Sequence, residues 1–243
     1  MELHCEKYIR YGEMNWDFLP KDKPVLVHGS IGLIKDILRK GKDLYPCIWC
    51  DFEILSCHSY YSYWGEYLLQ RKYAFYPLAE IVRLKDYLYG DDDDLFIRPD
   101  ANNKEFTGEV IKKKEFDIWW KKINYDNTPP TTMCIVAKPE KILAEYRLIM
   151  AKGKVVIGSK YRNNNIICYD AYYPKEIEGF AEEVCKKWQP HPIFCLDLAE
   201  TPDGCKVVEC GSVNCAGYYS ADLRKIVQAM SDLAEEEYNE LQP

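Results

Sequence analysis

The two residues of this chain whose types and spacing most invite chemistry are Asp197 and Glu209, inside the stretch Phe194 to Tyr219, FCLDLAETPDGCKVVECGSVNCAGYY. The stretch reads as a β-hairpin. Phe194, Leu196 and Leu198 alternate with Cys195, Asp197 and Ala199; Cys205 to Cys210 supplies the partner strand; Thr201-Pro202-Asp203-Gly204 turns the chain. Proline presets φ for a type I turn, and glycine accepts the left-handed residue that follows. With a loop of Pro202-Asp203-Gly204 and a glycine bulge, Thr201 faces Cys205. Counting outward, Asp197 then faces Glu209. Opposed carboxylates repel, and a divalent cation between them removes the repulsion. Asn214 follows and could add an oxygen ligand. Magnesium takes carboxylate and amide oxygens, and usually also holds a substrate phosphate. The alternative is a slipped register that leaves both acids on a solvated face.

The rest of the chain has to position this pair. Pro24 to His28 is a short apolar run expected to be a buried strand, and Gly29-Ser30 opens a helix through Ile31, Ile34, Ile37 and Leu38, with Ser30 as N-cap and Gly41 near the C-cap. The His28-Gly29-Ser30 turn could cradle an anion at the helix N-terminus, but the motif is too short to be specific and a plain tight turn is the preferred reading. Tyr45 to Trp49 resembles a second strand. Cys47-x-x-Cys50 followed by Cys57-His58 invites a zinc reading, but the second pair is adjacent rather than spaced and stands among aromatic residues of core type. Tyr60, Tyr61, Tyr63, Trp64 and Tyr67 are expected in the core, and Ala79 to Tyr89 as a helix ending at Gly90.

The acidic run Asp91 to Asp94 marks a boundary. Leu95 to Pro99 follows as a strand carrying Arg98 near its end, then a polar loop with Lys104. Ile111 to Asn124 reads as a helix or turn-rich connection, and Met133 to Ala137 as a buried strand leading to Lys138-Pro139. Leu143 to Ala151 and Lys154 to Arg162 form a hairpin about Lys152-Gly153, with Glu145 and Arg147 on one face of the first strand and Ser159 and Tyr161 sharing a face of the second. Ile166 to Asp170 is another strand. Pro174 opens a helix through Ile177, Ala181, Val184 and Trp188, and Ser220 is expected to cap a last helix.

Bulk properties narrow the classes. A chain of 243 residues, 47% hydrophobic and 29% charged, supports a sizeable core in one large domain or two small ones. A net charge of −7 argues against a nucleic-acid role, which wants a basic surface. The 11 cysteines are an odd number scattered through predicted elements, which fits reduced thiols in a cytoplasmic protein better than a disulfide framework. Residues Met1 to Glu13 are charged and do not read as a signal peptide, and no apolar run approaches a membrane span.

Arg98, Lys104, Lys138 and Arg147 together with Asp197, Glu209 and Asn214 are cations for phosphates and oxygens for magnesium, the make-up of a nucleoside triphosphate site. Walker, dinucleotide and protein-kinase signatures are all absent, so side chains on sheets must hold the triphosphate.

From about Leu95 to Tyr219 the chain resembles the ATP-grasp superfamily. The likeness rests on FIRPD…K-x-F-T-G (Phe96 to Gly108), AKPEKI…EYR (Ala137 to Arg147), G-S-x-Y (Gly158 to Tyr161) and VVE…N-x-A-G-x-Y (Val207 to Tyr219). It is closest to a divergent branch that includes the eukaryotic cell-division-cycle protein assisting assembly of a translation initiation factor, and nearer still to the R-two-K clade.

The resemblance implies an α/β (α+β) fold: two α+β lobes sandwiching ATP, at 91–142 and 143–243, behind an N-terminal α/β domain at 1–90. It implies that Arg98 binds phosphate, that Lys138 leads into an adenine hinge at Pro139 to Ile142, and that Arg147 neutralises the γ-phosphate or an acyl-phosphate. Lys104 would lie in a loop over the phosphates, and Asp197, Glu209 and Asn214 would hold magnesium. The family's usual ending is Glu-x-Asn; here Gly211 stands at the asparagine position, so Asn214 is a substitute. The implied reaction is carboxylate–amine ligation through an acyl-phosphate on a peptide, protein or amino acid. Rival readings are an ATP-binding assembly chaperone without turnover and a phosphotransferase.

Overall fold

The structure, a computed structural model, describes residues 23–40, 47–70, 72–103 and 105–241. Two antiparallel sheets organise them. The first has the order β1-β4-β2-β3, from β1 (Tyr73–Pro77), β2 (Asp94–Pro99), β3 (Glu109–Lys112) and β4 (Met133–Ala137). The second has the order β7-β6-β5-β8-β9, from β5 (Ala144–Ala151), β6 (Lys154–Asn163), β7 (Ile166–Asp170), β8 (Ile193–Thr201) and β9 (Gly204–Gly211). β1 pairs with β4 along its whole length, so the sheet of the first lobe begins ahead of the boundary expected at residue 91. The aromatic run Tyr73-Ala-Phe-Tyr-Pro lacks a clean alternation, and Pro77 tolerates the edge position because an edge strand can spare a donor.

The helices cover these sheets by simple periodicity. On the first sheet, α3 (Leu78–Arg83), α4 (Lys85–Tyr89) and α5 (Phe116–Tyr125) bring Leu78, Ile81, Tyr89, Phe116, Trp119 and Ile123 against Leu95, Ile97 and Val136. One face of the second sheet, Phe194, Leu196 and Leu198 of β8, meets Ile177, Ala181 and Val184 of α6 (Lys175–Lys187) and the buried Tyr60, Tyr61 and Trp64 of α2 (Cys57–Trp64). Each such aliphatic side chain contributes about 1.5–3 kcal/mol through burial. Over the opposite face runs α7 (Leu223–Leu241), whose Ile226, Met230 and Leu233 cover Ile149, Ile193 and Cys195. Along β5 and β8 that face then changes character. Beyond Ile149 come Arg147 and Glu145, and beyond Cys195 comes Asp197. The strands turn polar where α7 stops covering them.

Several expectations change at the edges. Residues 24–28 and 47–49 belong to no strand, and Tyr45 and Pro46 of the expected second strand lie outside the described residues. Ser30 does cap α1 (Ile31–Lys40), accepting from Leu33 N at 3.2 Å, while Gly41 lies outside the described residues. The last helix opens at Asp222 rather than Ser220: the Asp222 carboxylate accepts from Arg224 N at 2.9 Å. Cys57 points to the Tyr60 hydroxyl and His58 to Asp100 and Glu53. Among the described residues no group of three or more His, Cys, Asp or Glu is arranged to hold a metal, so the zinc reading has no site.

Candidate active site

The hairpin of β8 and β9 sets Asp197 opposite Glu209, but not by the expected count. The turn is one residue tighter, pairing Thr201 with Gly204, whose φ is +98°. The extra residue sits farther along as a bulge at Val208, between the pairs Leu198↔Val207 and Asp197↔Glu209. The bulge restores the acid pair and redirects the Val208 carbonyl to the edge of β9, where Arg98 Nη1 donates to it at 3.4 Å.

The pairings continue across the sheet. Ser159 of β6 faces Arg147 of β5, Arg147 faces Asp197, and Asp197 faces Glu209. This is one row of side chains on the face that α7 leaves open. Arg147 holds both oxygens of Asp197, Nε to Oδ1 at 2.7 Å and Nη2 to Oδ2 at 2.6 Å, and its Nη1 donates to Gly217 O at 3.1 Å. Such a two-pronged pair is stronger and more directional than a lysine contact. From the first sheet Arg98 reaches across to Glu209, Nη2 to Oε2 at 2.8 Å. Asn102, in the loop after β2, donates to Cys210 O at 2.7 Å. The two sheets therefore meet at β9 through Arg98 and Asn102. Gly108 makes this approach possible, because a Cβ there would lie 2.8 Å from Arg98 Cβ.

Burial pushes the Asp197 carboxyl above the usual carboxylate range, against the pull of Arg147, and Glu209 and Glu145 add to the push. Burial also opposes the charge of Arg147, but Asp197 outweighs it and holds the guanidinium above its ordinary value. Within the row Arg147 favours the ionised form of Asp197, while burial and the neighbouring acids oppose it and prevail.

A second bulge lies beside the row. β6 pairs Lys160 with Tyr146 and Arg162 with Glu145, which leaves Tyr161 as the extra residue. Tyr161 and Arg162 consequently both reach Glu145. The Tyr161 hydroxyl donates to Glu145 Oε2 at 2.7 Å, and Arg162 Nη1 lies 2.8 Å from Oε1. The same hydroxyl is 3.4 Å from Asp197 Oδ2. Tyr219, at φ +51°, stacks between Tyr161 and Tyr169 with ring centroids 4.8 and 5.5 Å away. The Arg147 guanidinium carbon lies 5.1 Å from the Tyr219 ring centre. Strain at a non-glycine residue of this kind is often found at functional sites. Glu145 and Tyr161 carried a signal in the sequence, since each shares a strand face with a residue of the row. The bulge that joins them breaks the alternation and could not be read.

Of the other expected site residues, Lys138 lies 2.6 Å from Asp92 on the exterior, with 70% of its side chain exposed. Ile142 is half-buried in the connection from β4 to β5. Lys104 lies outside the described residues. Asn214 is not brought to the carboxylates. Its side chain is fully buried, accepting from Trp49 N at 2.8 Å and donating to Val27 O at 2.8 Å and Cys47 O at 3.0 Å. Its Oδ1 faces Trp49 N and, at 3.4 Å, the Ser212 hydroxyl, so the oxygen expected to replace the missing asparagine is turned to the chain's own donors, and Asn214 ties the hairpin end to the N-terminal segments instead.

Comparison with known proteins gives this arrangement its class. The family model of the ATP-grasp domain, R-two-K clade family 3, matches residues 57–230, and the chain belongs to that family. The fold is shared with the D-cycloserine synthetase DcsG, at 10% identity and a TM-score of 0.54 over 84% of this chain and 78% of that one. A RimK domain ATP-grasp protein from Sphaerobacter thermophilus aligns at 13% identity and a TM-score of 0.52, over 75% of this chain and 66% of its own. A D-alanine–D-alanine ligase from Bacillus anthracis aligns at 10% identity and 0.51, over 75% and 69%. The chain thus spans about two thirds of the length of the second of these. No curated protein sequence matches it. No helix among the described residues is long and apolar enough to cross a membrane.

Proposed function

We propose that this protein is an ATP- and magnesium-dependent carboxylate–amine ligase working through an acyl-phosphate on a peptide, protein or amino acid. One observation carries the reading: the row Arg147, Asp197, Glu209 on one sheet, met by Arg98 from the other. The donor set fits magnesium in the way that ion is ordinarily held, by one or two carboxylates with phosphate and water completing the shell. Asp197 and Glu209 would be those carboxylates. Magnesium, when bound, offsets the charge of the phosphates. The ligase neighbours and family membership support the class.

The chain's own residues account for the remaining needs. Arg98 and Arg147 would supply positive charge to the phosphates and to the acyl-phosphate. Ile142 and the backbone near it would meet adenine, Lys138 stands where the chain enters that connection, and Lys104 is the candidate for the loop over the phosphates. A substrate carboxylate attacks the γ-phosphate and releases ADP; an amine then attacks the acyl carbon and releases phosphate. Positioning and charge neutralisation suffice for both steps, and a site walled by two sheets supplies them without a nucleophilic side chain.

The test is product analysis. The protein, ATP, magnesium and hydroxylamine are incubated with mixed amino acids and peptides. ADP with a hydroxamate of the substrate supports the reading, and AMP with pyrophosphate, or a stable phosphorylated acceptor, overturns it.

A further inference from the structure

Beneath the Arg147–Asp197 pair lies a group that nucleotide binding does not by itself require. Tyr161, Arg162 and Glu145 are drawn together by the β6 bulge, with Glu145 only 5% exposed. The Tyr161 hydroxyl has one hydrogen and two carboxylates in range, Glu145 at 2.7 Å and Asp197 at 3.4 Å. In this structure Glu145 takes it, because Arg147 already occupies both oxygens of Asp197. Glu145 has other support. Arg162 Nη1 is 2.8 Å from its second oxygen, and Arg162 Nε is buried without a partner. Arg147 is held on its far side by Gly217 O and the Tyr219 ring, contacts that do not depend on Asp197.

We infer that Tyr161 is a positioning residue whose hydroxyl turns from Glu145 to Asp197 when Arg147 leaves for a nucleotide's phosphates. The inference rests on the ligase reading above. The turn keeps a donor on Asp197 while its second oxygen faces the cation, and Arg162 alone then serves Glu145. Once Arg147 has left, rotation about the tyrosine C–O bond carries the hydrogen across, and each carboxylate keeps at least one donor at either end of the change.

Titration of magnesium against binding of a non-hydrolysable ATP analogue tests this. In Tyr161→Phe, which keeps the ring beside Arg147, the half-saturating magnesium concentration rises about tenfold or more, the scale of one hydrogen bond to a charged group. In Glu145→Gln, where Tyr161 can still reach Asp197, it stays within about threefold of the wild type. A Tyr161→Phe protein with wild-type magnesium dependence overturns the inference. So does an equal shift in both variants, which would assign the effect to Glu145 alone. Should Tyr161→Phe fail to fold, the pair Glu145→Leu with Tyr161→Phe removes acceptor and donor together and carries the same expectation. A wild-type protein that binds no analogue at any magnesium concentration overturns the ligase reading and this inference together, and is distinct from the other outcomes.

Discussion

Arg147 and Asp197 stand opposite each other on β5 and β8 and meet through two hydrogen bonds of 2.7 and 2.6 Å, with 13% and 4% of their side chains exposed. Removing one partner of so buried a pair strands the other charge. Asp197→Asn should therefore destabilise the fold by about 3–5 kcal/mol, as well as abolish magnesium-dependent nucleotide binding. Arg147→Met combined with Asp197→Asn should recover most of that stability and none of the binding. Denaturant unfolding of the three proteins checks this; an Asp197→Asn protein as stable as the wild type would refute it.

Glu209 offers the cleaner probe, because 32% of its side chain is exposed and Arg98 keeps the Val208 carbonyl as a partner. Glu209→Gln is expected to lose about 1 kcal/mol of stability while magnesium-dependent binding of an ATP analogue weakens at least tenfold. Calorimetric titration with and without magnesium measures it, and unchanged affinity in magnesium counts against the metal assignment.

Asn214 should behave as a structural residue. Asn214→Ala leaves Trp49 N, Val27 O and Cys47 O without their partner and is expected to cost about 3 kcal/mol or more. The magnesium requirement for nucleotide binding should persist in whatever fraction remains folded. A stable Asn214→Ala protein that has lost only its magnesium dependence would restore the ligand role.

Gly108→Ala sets a methyl group 2.8 Å from Arg98 Cβ and 3.3 Å from the Phe96 ring. The backbone or Arg98 must shift, at about 1–3 kcal/mol. Nucleotide affinity should fall with stability, since the same movement draws Arg98 from Glu209. Loss of stability with full affinity would show that Arg98 does not serve the site.

His58 gives a pH dependence with a definite sign. The hydrogen bond to Asp100 raises its pKa above the ordinary histidine value, burial pulls the other way, and Glu53 adds to the rise. The folded state thus favours the charged ring. Its stabilisation is complete below the unfolded value, about 6.5, and is lost as pH rises through the higher folded value. The stability gap between the wild type and His58→Gln should be widest near pH 5.5 and shrink by pH 8.5. A gap independent of pH would mean the ring acts by packing alone.

These residues also show how far the chain was legible. The long strands and α6 followed from alternation and helical spacing, and the acids met as expected because the bulge at Val208 compensates for the tighter turn. β3, Glu109–Lys112, was hidden by its brevity and its charged ends, and what makes it a strand is the long-range ladder to β2. The runs at 24–28 and 45–49 looked like strands because they are short and apolar. Asn214 satisfies backbone groups in both where a ladder otherwise would. Within the site, residue types announced Arg98, Arg147, Asp197 and Glu209. Glu145 and Tyr161 were legible as residues on the faces of Arg147 and Ser159, but their meeting depends on the bulge, a one-residue departure from period two that no alternation pattern records.

Asn214 has one more consequence, for the order in which the molecule takes shape. The backbone groups it satisfies at Val27, Cys47 and Trp49 lie 187, 167 and 165 positions earlier in the chain. Joining segments so far apart carries a large loop-closure entropy and gains nothing until the hairpin end is in place. These three contacts therefore wait on the hairpin end, although the segments are made long before their partner. In a chain made from its N-terminus, three backbone groups near the beginning are matched by one side chain near the end.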